Sequence, residues 1–262
     1  MNAIRLNSLL ARPLRERAAR QWSTISRSLR DGIRPSDPEL RDEAEALHRD
    51  LSSFLQLTDP RAIRIRAALA DMNLPLGTDW RWRPGMFCGP IAPSALVEPR
   101  NGQRLGHEVA VWHDCAHRAL ILRQRRNRRS TDLAPFGMSL EVMGFSGSYL
   151  SLSLDLPETV LEGLGTSHIL RLETVLQAER PVTVYGRLNL LHGPNTAQML
   201  RQLGDPISDQ TCHRVIEFDL AYAELTERRI EKVWLDLIFE APHMNGVELG
   251  DVVLSRHMRA EI

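Results

Sequence analysis

Between residues 230 and 254 the apolar positions follow one rule. Val233, Leu235, Leu237 and Phe239 alternate with Lys232, Trp234, Asp236 and Ile238, and a second apolar run follows at 247–254. Period-two alternation predicts a strand with one face in a core. His243, Met244, Asn245 and Gly246 separate the runs, and Asn-Gly tolerates positive φ, so the two are expected to form a hairpin. The core claims one face of the first strand. A site would lie on the other, the face carrying Trp234 and Asp236.

The same alternation recurs through the second part of the chain. Strands are expected at 80–88, 108–113, 119–124, 139–145, 149–156, 168–177, 182–191, 214–222, 230–240 and 247–254. The clearest sets Leu150, Leu152, Leu154 and Leu156 against Ser151, Ser153 and Asp155. Many short strands joined by Gly, Pro and Asn turns predict an antiparallel sandwich or barrel. One interruption, residues 193–203, opens on Gly193, Pro194, Asn195 and Thr196 and reads as an N-capped short helix crossing one end of the sandwich.

Before residue 75 the period changes to that of a helix. Ile4, Leu9, Leu10, Leu14, Ala18, Trp22, Ile25, Leu29 and Ile33 recur mostly three or four apart. The opposite face holds Arg5, Arg12, Arg15, Arg17, Arg20, Arg27, Arg30 and Arg34 against Glu16 and Asp31. That is either a docking or membrane-surface helix or a helix packed on its own domain with a solvated basic face. Pro13 is expected to break or kink it. Ser36, with Glu39 three later and Pro38 between, resembles a capping box for a second helix. Its stripe is Leu40, Ala44, Leu47, Leu51 and Leu55, and its surface is acidic. The opposite charges would let the two helices pair. A third helix is expected from Asp59-Pro60 to about Met72. The reading is therefore mainly β: a helical N-terminal region, 1–75, and an antiparallel β-sandwich or jelly roll, 76–262.

Bulk properties narrow this picture only slightly. At 262 residues, 43% hydrophobic and 25% charged, the composition is that of an ordinary globular chain, and the formal net charge of zero supplies no global field for nucleic acid. Of 33 basic residues only Lys232 is lysine. Cys88, Cys115 and Cys212 are odd in number and widely spaced, so no disulfide framework follows. Neither a secretory signal nor an apolar run of membrane-spanning length is present, making a cytoplasmic location the default, with surface or particle association as the alternative.

Four short motifs invite chemistry. His107, His113, Cys115 and His117 suit zinc by residue type, but a second ligand pair is absent, so no metal is expected. The basic run from Arg123 to Arg129 is read as a solvated loop, with no nucleic-acid module beside it. Gly144, Ser146 and Ser148 lack the spacing of a nucleophile elbow. Glu217 and Asp219 resemble the carboxylate strand of jelly-roll glycosidases of the laminarinase type, but the third carboxylate of that pattern is missing at Ala221 and Tyr222.

The strongest constellation spans several strands. Beside their apolar sets stand Arg187 and Asn189, Glu217 and Asp219, and Trp234 and Asp236. Carboxylates, an amide and guanidinium suit sugar hydroxyls, and an aromatic ring suits an apolar sugar face. The other account of these positions is a solvated face with cross-strand ion pairs.

From Trp80 onward the layout resembles a carbohydrate-binding jelly roll. The run VWLDLIFEAP (233–242) followed by MNGVELGDVV (244–253) is similar to the closing hairpin of such modules. The chain also resembles an uncharacterised family of Arg-rich alphaproteobacterial proteins, and a jelly roll on a helical anchor is a layout shared with phage-like particles. The expected function is that of a non-catalytic module binding a glycan or other polar ligand, and strand parity places its site at Arg187, Asn189, Glu217, Asp219, Trp234 and Asp236. The alternatives are an attachment subunit of a surface or phage-like particle and a polysaccharide-active enzyme. No cofactor or specific nucleic acid is expected, and a protein partner or second copy would engage the N-terminal helices.

Overall fold

The computed structural model describes residues 3–33, 37–58, 69, 72–225 and 229–259. The chain divides into two compact units, Met1–Asp50 and Leu51–Ile262. Helix α1, Ala3–Arg30, continues through Pro13 rather than breaking there. A proline forfeits one i→i−4 bond, and here that interruption is tolerated within 28 residues rich in Ala, Leu and Arg. Helix α2 is Pro38–Thr58. At its start the Glu39 amide donates to Asp37 Oδ1 at 3.1 Å, a cap bond. Ser36 and most of the expected third helix lie outside the described residues. Among the described residues, no helix is long and apolar enough to cross a membrane.

The β elements are β1 (Thr78–Trp82), a short helix α3 (Gly85–Cys88), β2 (Ala95–Val97), β3 (Gln103–Leu105), β4 (Val109–His113), β5 (Leu120–Arg126), β6 (Phe136–Val142), β7 (Leu150–Asp155), β8 (His168–Ala178), β9 (Val184–His192), β10 (Asn195–Gln202), β11 (Cys212–Asp219), β12 (Lys232–Phe239) and β13 (Asn245–Met258). Among the described residues they form two antiparallel sheets. One has seven strands, ordered β11-β8-β13-β6-β5-β2 with β1 also on β13; the other has six, ordered β10-β9-β12-β7-β4-β3. The alternating apolar sets meet between the sheets. Leu150, Leu152, Leu154, Leu188, Leu190, Leu235 and Leu237 from the six-stranded sheet share one core cluster with Leu170, Leu172, Leu176, Val252 and Leu254 from the seven-stranded sheet. This is an antiparallel β-sandwich, as the periodicity predicts.

Two expectations are corrected. The runs 230–240 and 247–254 are not a hairpin: β12 pairs with β7 and β9 in one sheet, β13 with β6 and β8 in the other. The positive-φ residues are Ala241 and Met244, and Asn245 begins β13 instead of turning. Its side chain accepts from the Arg180 amide and donates to the Arg180 carbonyl, both at 2.9 Å, which ties the crossing to the second sheet. The second correction concerns residues 193–203. Gly193, at φ +61, turns the chain into β10, which pairs with β9 from Asn195↔His192 to Gln202↔Tyr185. Ala197 and Met199 are buried while Gln198 and Leu200 are exposed, a strand's alternation in place of a helical stripe.

A buried ion pair joins the start of the sandwich to its last strand. Arg83 Nε and Nη2 donate to the two oxygens of Asp251, each at 2.8 Å. Asp251 follows a register shift in the β13–β8 ladder, and its Oδ1 also accepts from the Val252 amide.

Candidate functional site

The outward face of the six-stranded sheet carries a groove of about 510 Å³. Side-chain size along the strands explains its shape. Ala110 on β4 and Ser151 and Ser153 on β7 occupy the middle of the sheet and fill little space. Trp112 and Tyr149 rise on one side, and Trp234, Lys232 and Leu191 on the other. Register places these groups in rows: Ala110 pairs with Ser153, Trp112 with Ser151, Asp236 with Ser153 and Trp234 with Asp155. Small residues between large ones on a pleated surface leave a trough.

The floor is polar and deeply set. Ser151 and Ser153 are 6% and 8% exposed. Two apart on one strand, they stand about 6.5–7 Å from each other. These two line the groove, so they are placed to give and accept hydrogen bonds there.

Both groove carboxylates are held from within the protein. Asp236 Oδ2 accepts from Arg187 Nε (3.1 Å), Arg187 Nη2 (2.8 Å) and Asn189 Nδ2 (2.9 Å). Asn189 also donates to the Arg187 carbonyl, and its own Oδ1 is buried without a partner among the described residues. Asp155 pairs with Lys232 at 2.8 Å and with Arg104. Burial pushes the Asp155 carboxyl up, but hydrogen bonds from Lys232 and Arg104 outweigh it and hold the group below the ordinary 3.8. The Lys232 ammonium lies 5.7 Å from the Trp234 ring centroid, a cation–π distance. Each cation lining the groove is therefore engaged by a carboxylate of the same face, while Trp112, 44% exposed, presents ring surface to solvent.

Of the six expected site residues, the structure brings four together: Arg187, Asn189, Trp234 and Asp236 are neighbours across the β9–β12 ladder. Glu217 and Asp219 do not join them. They lie on β11, the edge strand of the seven-stranded sheet, because β11 pairs with β8. Glu217 accepts from Arg171 Nη1 at 3.0 Å, and Asp219 pairs with Arg259 and accepts from the Ala221 amide. Sequence reasoning overlooked Trp112, Tyr149, Ser151 and Ser153. The available signal was the out-facing parity of β7, serines between leucines, and of Trp112 between Val111 and His113.

The other motifs resolve into structure. His113 is buried; its Nε2 lies 2.9 Å from the Pro99 carbonyl, and its Nδ1 accepts from the Cys115 amide at 3.2 Å. Among the described residues no group of three His, Cys, Asp or Glu side chains is placed to hold a metal ion. The basic run belongs to β5 and the turn after it: Arg123 pairs with Glu141, Arg125 with Glu248, and Arg126 stacks 5.2 Å from the Phe136 ring centroid.

Several solved structures are similar to part of this chain at low sequence identity. The xylan-binding domain CBM22-1 of Xyn10C from Paenibacillus barcinonensis is 7% identical with a TM-score of 0.38, over 63% of this chain and 94% of that one. The family 11 carbohydrate-binding module of Clostridium thermocellum, solved with a mixed-linked tetrasaccharide, is 9% identical with a TM-score of 0.38, over 62% and 94%. The enzymatically active domain of tailspike protein 4 from bacteriophage CBA120 is 7% identical with a TM-score of 0.41 over 56% of this chain, which spans only 19% of the tailspike chain. Likeness this distant leaves the ligand to be argued from the groove alone. No protein of curated function matches the sequence. The whole chain, residues 1–262, matches the family of unknown function DUF6478, and the protein belongs to that family.

Proposed function

We propose that the chain is a glycan-binding module whose ligand lies in the groove on the six-stranded sheet, across Ser151 and Ser153 and against Trp112, Tyr149 and Trp234. The observation that carries the reading is the pair of deeply set serines on the groove floor between aromatic walls. Saccharides present this combination of needs, hydroxyls that hydrogen-bond on their edges and C–H faces that pack on aromatic rings. Because Arg104, Lys232 and Arg187 already engage Asp155 and Asp236, the groove suits an uncharged glycan better than a polyanionic one. The engaged carboxylates orient hydroxyls rather than deliver protons, which favours binding over hydrolysis. Arg187, Asn189, Trp234 and Asp236 belong to this site; Glu217 and Asp219 do not.

The test is a glycan array probed with the full chain and with Trp112→Ala. The reading expects binding to neutral glycans, weakened by about 1–3 kcal/mol in the variant, as for loss of an aromatic contact at an interface. An array dark for neutral glycans, or signals indifferent to Trp112→Ala, rejects it.

A further inference from the structure

We infer that α1 and α2 are a self-association surface, each helix covered by the oppositely charged helix of a second copy of this chain. Both carry apolar side chains in the open. On α1 Leu14 is 65% exposed and Leu29 is exposed; on α2 Leu51, Phe54 and Leu55 are exposed, Phe54 at 62%. Helices of 28 and 21 residues whose apolar stripes include exposed side chains draw stability from whatever covers those side chains.

Charge identifies the cover. α1 holds seven arginines against the single Glu16, whereas α2 holds Glu39, Asp42, Glu43, Glu45 and Asp50 against Arg41 and Arg49. An anionic membrane surface would attract α1 but repel α2, leaving Leu51, Phe54 and Leu55 open. A second copy offers each helix an apolar stripe and the opposite charge together, the arrangement of a bundle assembled from helices of two chains. At about 100° per residue, Arg15 and Arg17 fall on the two borders of the α1 stripe, and Glu43 and Asp50 border that of α2. Those are the flanking positions at which charged side chains choose a partner helix. The inference stands on these helices alone and is independent of what the groove binds.

The experiment measures the mass of the full chain by light scattering. Three proteins are compared: wild type, an α1 variant (Arg15→Glu with Arg17→Glu) and an α2 variant (Glu43→Arg with Asp50→Arg). Wild type is expected at twice 29.7 kDa and each variant alone as a monomer. Mixing the two variants is expected to restore the dimer, since α1 of each then faces a complementary α2. Pairing within one chain leaves the mixture monomeric and overturns the inference. So does a variant that stays dimeric alone. A monomeric wild type that co-sediments with phosphatidylcholine–phosphatidylglycerol vesicles overturns it in favour of a lipid surface.

Discussion

Asp236 faces Arg187 across the β9–β12 ladder and accepts both guanidinium bonds on a single oxygen, Oδ2, which also accepts the Asn189 amide. Three donors converging on one oxygen fix the carboxylate at the groove floor. Asp236→Ala takes the charged acceptor from the fully buried Asn189 amide, leaving it the Arg187 and Trp234 carbonyls at 3.1 and 3.4 Å, and Arg187, partly exposed, turns to water. The loss of stability is expected to be about 1.5–3 kcal/mol, that of a hydrogen bond to a charged group. Arg187→Ala is expected to cost more, because it leaves the enclosed Asp236 carboxylate without a cation. Urea unfolding of both variants checks the order, and a larger loss in Asp236→Ala contradicts it.

The Arg83–Asp251 pair is the deepest ion pair among the described residues, with both side chains almost fully enclosed. Removing one partner leaves an uncompensated charge, so Arg83→Ala is expected to destabilise the sandwich by about 3–5 kcal/mol. Replacing both by apolar residues of similar size is expected to recover much of that loss. If the double variant is as unstable as the single, the cost comes from packing and not from charge.

Acid should find a weakness between β1 and β13. The Asp79 carboxyl is lowered below 3.8, chiefly by its hydrogen bonds from Arg256, with burial opposing. In Asp155 the Lys232 and Arg104 bonds outweigh burial in the same direction. A group with a depressed folded value binds fewer protons folded than unfolded, so its stabilisation is complete above the ordinary value and drains as pH falls through the folded one. Melting temperature is therefore expected to fall steeply below about pH 3.8. In Asp79→Asn the fall should be shallower. Parallel curves for the two proteins contradict the assignment.

Parity was the legible part of this fold. Val233, Leu235, Leu237 and Phe239 are buried and Trp234 is turned out, as their alternation predicts. Parity tells which face of a strand a residue takes, but not which sheet the strand joins. That choice depends on long-range pairing, and it carried Glu217 and Asp219 away from Trp234 and made β12 and β13 neighbours in sequence only. β10 was misread because Gly193, Pro194, Asn195 and Thr196 suit a helix cap as well as a hairpin turn, and its short Ala197–Met199 alternation is weak. The groove floor was hidden for a different reason. Serines between leucines read as a plain solvated face until Trp112 and Trp234 are placed on either side of them.

The central claim is that the trough over Ser151 and Ser153 is the binding site, and filling it is the most direct test. Ser153→Leu puts an isobutyl group on the floor, on the outward face, without touching the core. Isothermal titration with the strongest neutral glycan from the array is expected to show binding by wild type and none by Ser153→Leu, at an unchanged melting temperature. Equal affinity for the two proteins would contradict the account.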